Sequence, residues 1–239
     1  MIIHTKAIVL HALKYSESDL IVTCFTETSG LKSYLLPRIL KTKRAKVSAS
    51  LFQPLTQLEL IANHKNKEGL DYIKEAKLTY LYKTIHTNIV KTTLVIFLAE
   101  ILKMTINEEA SDQQLFHYLC NSFFWLDSHE QIANFHILFL INLTKHLGVY
   151  PDIINIKQPY FNLIDGNFQK SETNKFCQKG AHIETLKLFF GINFDALHQI
   201  KINKNSRSAI LNLVLKYYQL HLHAFKQPKS LQILNQLFL

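Results

Sequence analysis

The apolar pattern of this chain changes period near residue 80, and that change limits what it can fold into. Before it, short apolar and β-branched runs alternate with polar turns: Ala7–Leu13, Leu20–Thr26, Leu31–Leu36, Leu55–Ile61 and Leu70–Leu78. The turn Tyr15–Asp19 separates the first two runs, Gly30 closes the second, and the polar stretch His64–Gly69 separates the last two. Such runs bounded by turn residues read as strands. Five strands in about eighty residues suit a small closed barrel of the oligonucleotide-binding (OB) type, with an SH3-like barrel as the structural alternative. After the change, apolar residues recur at three and four, which predicts helices over Leu81–Ile106, Asp112–Leu126, Gln131–Leu147, Ser206–Ala224 and Lys229–Phe238. Gly148 and Pro151 form a stop signal behind the third helix. Within the helical part, Asp165-Gly166 between Tyr160–Ile164 and Asn167–Gln169 signals a β-hairpin. The expected class is α+β: a five-stranded OB-type barrel over 1–80, then a mostly α-helical domain over 81–239 with a small inserted hairpin lobe near 155–180.

Charge is distributed unevenly over this plan. The formal net charge is +9. Residues 1–80 hold 12 Lys and Arg against 7 Asp and Glu, and the remaining 159 residues hold 15 against 11. The excess of the first part concentrates between the third and fourth strands, where Arg38, Lys41, Lys43, Arg44 and Lys46 fall within nine residues that contain no acid. Long cationic side chains on a loop can follow a phosphate backbone without disturbing strand pairing, so these five are the candidate DNA contacts. A merely solvated loop is the ordinary alternative. Tyr34 and Phe52 are the nearest aromatics that could stack on bases, although strand position favours the barrel core for both.

Other chemistries find little support. The three cysteines, Cys24, Cys120 and Cys177, are scattered and form no CxxC pair. Among the twelve histidines, His221 and His223 sit two apart in a helix and point in different directions, and no HExxH pattern occurs. Glu108-Glu109 reads as solvated charge. With six glycines the chain has little material for a phosphate-binding loop, and no nucleophile elbow is visible. Neither catalysis, a metal nor a cofactor is expected. The N-terminus has no secretory pattern, and the apolar runs near 93–102 and 135–143 fall well short of the roughly 18 residues needed to span a bilayer. A cytoplasmic, nucleoid-associated protein is expected.

The order of several local strings resembles the RecO family of bacterial recombination mediators. The strings are Lys6–Leu10, Tyr15–Thr26 with Gly30, Lys43-Arg44 with Leu51–Leu55 and Leu58–Leu60, Glu75-Ala76, Leu147–Asp152, Arg207 and Leu220–Leu222. The resemblance implies an OB barrel joined to a helical domain. It also implies a non-enzymatic protein that binds single- and double-stranded DNA, anneals complementary strands and helps load RecA onto DNA coated with single-strand-binding protein. RecR and the acidic C-terminal tail of the single-strand-binding protein are the implied partners, and annealing is expected to favour backbone contacts. An acidic peptide ending in an apolar residue would suit a groove with cations at its rim, for which Arg207, Lys216 and Tyr217 are the candidate partner-binding residues. A protein–protein adaptor whose barrel docks a partner without binding DNA is the alternative function. Many family members build the inserted lobe around four zinc-binding cysteines. Here that region holds only Cys177, with His182 just beyond it, too few ligands for tetrahedral zinc. The hairpin and its apolar residues are therefore expected to replace the metal.

Overall fold

The structure, a computed structural model, describes residues 1–41, 47–64, 69–106 and 110–238. Five strands come first: β1 (Ile2–Lys14), β2 (Leu20–Thr26), β3 (Gly30–Leu36), β4 (Gln57–Asn63) and β5 (Asp71–Leu78). They close into a barrel of order β1-β2-β3-β5-β4, with β4 pairing back onto β1. Among the described residues, the barrel's one parallel contact, β3 with β5, is short: Tyr34 stands opposite Asp71 and Leu35 opposite Tyr72. Closure leaves no free sheet edge, and strand parity fills the interior. Val9, Val22, Cys24, Tyr34, Leu36, Leu58 and Leu60 are all buried there. Each is worth roughly 1.5–3 kcal/mol of burial for a side chain of valine size or larger.

β2, β3 and β5 meet the sequence expectation to within a residue, whereas β1 starts at Ile2 rather than Ala7 and β4 starts at Gln57 rather than Leu55. Leu55 instead has φ of 61°, and its N–H donates to the Val9 carbonyl at 2.7 Å. The first helix departs further. α1 spans Ile89–Thr105, eight residues later than the apolar spacing predicts. The reason is Asp127, at the end of α2 (Gln113–Ser128). Its carboxylate accepts from the backbone N–H groups of Lys83, Thr84 and Ile85 at 2.8–3.0 Å and from the hydroxyls of Tyr80 and Thr84. Those amides are thereby held in a bend around the carboxylate, followed by a single turn in which Thr87 and Asn88 N–H donate to the Thr84 carbonyl, before α1 begins. Lys91 is fully buried beside them, with its Nζ on Thr84 Oγ1 and the Asp127 carbonyl. Asn88 then caps α1 by accepting from Val90 and Lys91 N–H. Burial opposes ionisation of Asp127, but the three backbone donors and the Thr84 hydroxyl outweigh it and hold the carboxyl below its ordinary pKa.

The chain forms two compact units, Met1–Asp127 and Ser128–Leu239. The change from strand to helix follows Leu78, so the first unit contains α1 and α2 as well as the barrel.

The second unit contains α3 (Phe135–His146), a small sheet, α4 (Ala181–Lys187), α5 (Lys204–His221) and α6 (Leu231–Phe238). The sheet has the order β7-β6-β8, from β6 (Tyr160–Asn162), β7 (Asn167–Gln169) and β8 (Cys177–Gln178). The hairpin signal at Asp165-Gly166 is thus realised, with Gly166 at φ of 64° and its N–H on the Asn162 carbonyl. A methyl group on Gly166 would run into the Tyr217 hydroxyl. α4 was not expected from the sequence. Its seven residues are too few to display a period. Phe135, Phe139, Ile210, Leu215 and Tyr218 are buried in this unit, and the Tyr218 hydroxyl donates to the Leu140 carbonyl at 2.7 Å. Among the described residues no helix is long and apolar enough to cross a membrane.

Candidate nucleic-acid interface

The basic loop leaves the barrel where β3 ends. Leu36 pairs with Leu20 and points inward, and the chain reverses at Pro37-Arg38. Arg38 has φ of 57°, a left-handed conformation that costs a side-chain-bearing residue about 1 kcal/mol. Two contacts offset that cost. The Arg38 N–H donates to Asp19 Oδ1 at 2.8 Å, and Ile39 is buried against the barrel core. Leu40 N–H then donates to the Ser18 carbonyl at 3.0 Å, so the loop root is fastened to the β1–β2 turn. That same Arg38 N–H, followed by the Ser18 hydroxyl, holds the Asp19 carboxyl below its ordinary pKa. At the far end Val47, Ala49 and Leu51 pack on the core, and Ser48 caps the 3-10 turn Ala49–Phe52.

The five candidate cations divide as follows. Arg38 is exposed at the loop root. Lys41 is exposed too, but its Nζ lies 3.1 Å from Glu17 Oε2 in the β1–β2 turn. An ion pair this open to solvent is worth little and can be exchanged for a phosphate contact. The acid-free stretch therefore meets an acid from a neighbouring turn, which reading along the chain alone does not reveal. Lys43, Arg44 and Lys46 lie outside the described residues.

Neither aromatic near the loop offers a stacking surface. Tyr34 is fully buried, with its hydroxyl 2.9 Å from His64 Nε2, and Phe52 is buried in the barrel core. The opposite strand parity supplies a different row. Leu13 stands across from Ile21, Ile21 from Leu35 and Leu35 from Tyr72, on the outer face of β1, β2, β3 and β5. Ile21, Leu35 and Tyr72 are half-buried, whereas Leu13 is 53% exposed and Tyr15 just beyond it 64% exposed. Nearer the other end of these strands the outer face is covered, with Phe25 against Phe116 of α2 at 6.1 Å between ring centroids. Choosing residues by parity could have found this row from the sequence, because Val22, Cys24, Tyr34 and Leu36 already claim the inner positions.

Family models match both parts of the chain. Residues 1–82 match the model described as "Recombination protein O N terminal", and residues 86–232 the model "Recombination protein O C terminal". The chain belongs to the RecO family. Relatives called "DNA repair protein RecO" cover it from end to end. One from Christiangramia forsetii is 50% identical over 238 residues, one from Flavobacterium psychrophilum 41% over 239, and one from Flavobacterium johnsoniae 40% over 238, each with 100% of both chains covered.

In this RecO-family chain the three residues singled out on α5 are not one surface. Arg207 is half-buried, with Nε on Asn134 Oδ1 at 3.0 Å and Nη2 on the Ile202 carbonyl at 3.2 Å. Tyr217 is buried, and its hydroxyl donates to the Val149 carbonyl at 2.9 Å. Lys216 is exposed. Tyr217 also helps line a small apolar cavity with Ile141, Pro151, Phe161 and Phe190.

The lobe does not suit zinc. Asn162 Nδ2 donates to Asp165 Oδ2 at 2.7 Å and reaches Gln169 and Thr173, while Gln169 Nε2 lies 3.1 Å from Cys177 Sγ. One thiol among amides, a hydroxyl and one carboxylate is a poor tetrahedral donor set, and these groups already satisfy one another. The Phe161 and Phe168 rings also pack together, tilted, with centroids 4.8 Å apart. The lobe is thus held by a polar network as well as by the apolar residues expected from the sequence. Among the described residues no three His, Cys, Asp or Glu side chains gather as a metal site.

Proposed function

We propose that this protein is a non-enzymatic recombination mediator of the RecO type, which binds single- and double-stranded DNA, anneals complementary strands and helps RecA replace single-strand-binding protein. The observation that carries the reading is a closed five-stranded barrel whose β3–β4 connection is a cationic loop, in a chain related along its whole length to DNA repair proteins. Arg38, Lys41, Lys43, Arg44 and Lys46 are the proposed phosphate contacts. In this reading Lys41 gives up Glu17 when a phosphate arrives, at small cost because both groups are solvated. RecR is the proposed docking partner. The acidic tail of single-strand-binding protein is assigned to the helical unit, where exposed Lys216 adjoins Tyr217 of the apolar cavity. The proposed location is the cytoplasmic nucleoid.

The Lys41–Glu17 pair also favours an adaptor without DNA affinity, and one experiment separates the two. Strand annealing and DNA binding are measured across a salt series for the native protein and for a variant with all five cations replaced by Ala. Five phosphate contacts on single-stranded DNA give a log–log salt slope of about −3.5. The mediator reading expects that slope to approach zero in the variant and annealing to fail. Unchanged affinity and slope leave the adaptor standing.

A further inference from the structure

We propose that the outer-face row Leu13, Ile21, Leu35 and Tyr72, with Tyr15 and Leu40 beside it, contacts the flat faces of unpaired bases and makes the barrel prefer single-stranded over duplex DNA. The inference deepens the function proposed above and rests on the barrel binding DNA. Four cross-strand neighbours at the usual strand spacing span about 14 Å. Leu13 at 53%, Tyr15 at 64% and Leu40 at 42% exposure are three large apolar side chains gathered at one end of the barrel. Nothing in the core requires them. The inner parity of the same strands is filled by Ala12, Val22, Tyr34 and Leu36.

The charges around the row select its occupant. Leu35 is three residues before Arg38 and Leu13 directly precedes Lys14, so the apolar strip begins where the cationic loop is rooted. Leu40 itself belongs to that root, with its N–H on the Ser18 carbonyl. Lys14 ends β1, Arg38 and Lys41 lie at the loop root with Glu17 and Asp19 in the turn beside it, and Lys43, Arg44 and Lys46 follow in the chain. Glu17 is paired with Lys41, and Asp19 keeps its charge while accepting from the Ser18 hydroxyl and the Arg38 N–H, so two acids stand against the six cations of this part of the sequence. Apolar and aromatic side chains beside a cationic rim are complementary to a strand that carries phosphates on one side and base faces on the other. A duplex presents phosphates alone at this position, because its base faces are stacked inside. Contact through the faces also leaves the pairing edges of the bases outward, as annealing requires.

The test uses the full chain and four proteins: native, Leu13→Ser/Tyr15→Ala, Tyr15→Phe, and the five-cation Ala variant. Binding is read by fluorescence anisotropy with an oligothymidine, an abasic single strand of the same length, and a duplex. Leu13 and Tyr15 are more than half exposed, and thermal melting checks that the fold of each variant is kept. The native protein is expected to bind oligothymidine on the order of tenfold more tightly than the abasic strand. Leu13→Ser/Tyr15→Ala should lose that difference while its duplex affinity and salt slope stay unchanged, and Tyr15→Phe should retain it. Equal native affinity for the base-bearing and abasic strands overturns the inference, as does a double variant that still discriminates. Loss of binding in the five-cation variant with no change in the double variant upholds DNA binding and rejects the base strip. A native protein that binds none of the three probes removes the functional reading and the strip together.

Discussion

The two compact units use their polar residues in opposite ways. In the first, Arg38 and Lys41 are exposed at the root of a loop whose two ends are anchored to the barrel. In the second, Arg207 and Tyr217 turn inward, the one bonded to Asn134 and the other to Val149, and act as fasteners between helix and loop. Arg207 lies in the polar first turn of α5, among Lys204, Asn205, Ser206 and Ser208, and still turns to Asn134 and the Ile202 carbonyl, because an unsatisfied buried donor is costly. Polar neighbours along the chain therefore do not by themselves separate a solvated cation from a structural one.

The contrast can be broken in three further ways. The largest effect is expected where the first unit departs from its pattern and buries charge. Asp127→Ala leaves three backbone N–H groups and the Tyr80 hydroxyl without that acceptor, and should cost about 3 kcal/mol or more in urea unfolding. A loss below about 1 kcal/mol would mean that water takes over those donors. A second effect belongs to the helical unit and depends on pH. Burial, and then the nearby Arg207 charge, push His136 down to about 3. Because its folded pKa lies below the unfolded value near 6.5, the neutral form favours folding above that value. Stability then falls as pH drops below about 6.5, by up to about 1.4 kcal/mol per pH unit for this group. Replacing His136 by Leu should flatten that part of the acid profile, and an unchanged slope would place the titration elsewhere. The smallest effect tests the solvated character of the loop root. Glu17→Gln frees Lys41 and removes a negative charge, so single-strand affinity should rise about two- to threefold at low salt, with stability changed by less than about 0.5 kcal/mol. A marked loss of stability would make Lys41 a fastener of the kind seen in the helical unit.

Much of this architecture was legible from periodicity. Strand runs bounded by Gly and polar turns located β2 and β3 to within a residue, and Asp165-Gly166 located the hairpin, because these signals are local. What escaped was set by contacts far apart in the chain. The late start of α1 depends on a carboxylate some forty residues onward, and the apolar spacing of Leu81, Ile85 and Ile89 is equally compatible with an extra helical turn. The candidate site was half legible. Charge density marked the loop root, but the acid opposite Lys41 comes from another turn, and the outer-face row appears only when strand parity and cross-strand register are read together. The lobe was read as lacking zinc from its single cysteine. The amide network around Asn162 left no comparable mark, because Asn, Gln and Thr are common in any polar turn.

The carboxylate of Asp127 has a practical consequence for dividing the molecule. A fragment ending at residue 82, where the N-terminal family match stops, would keep all five barrel strands but lose the Asp127 carboxylate that receives the Tyr80 hydroxyl, together with the Phe116 ring that shelters Phe25. Cutting after Ser128 keeps both. A piece that carries the cationic loop together with these contacts is thus half as long again as the barrel, and during synthesis the barrel's outer wall is completed only once the second helix has emerged.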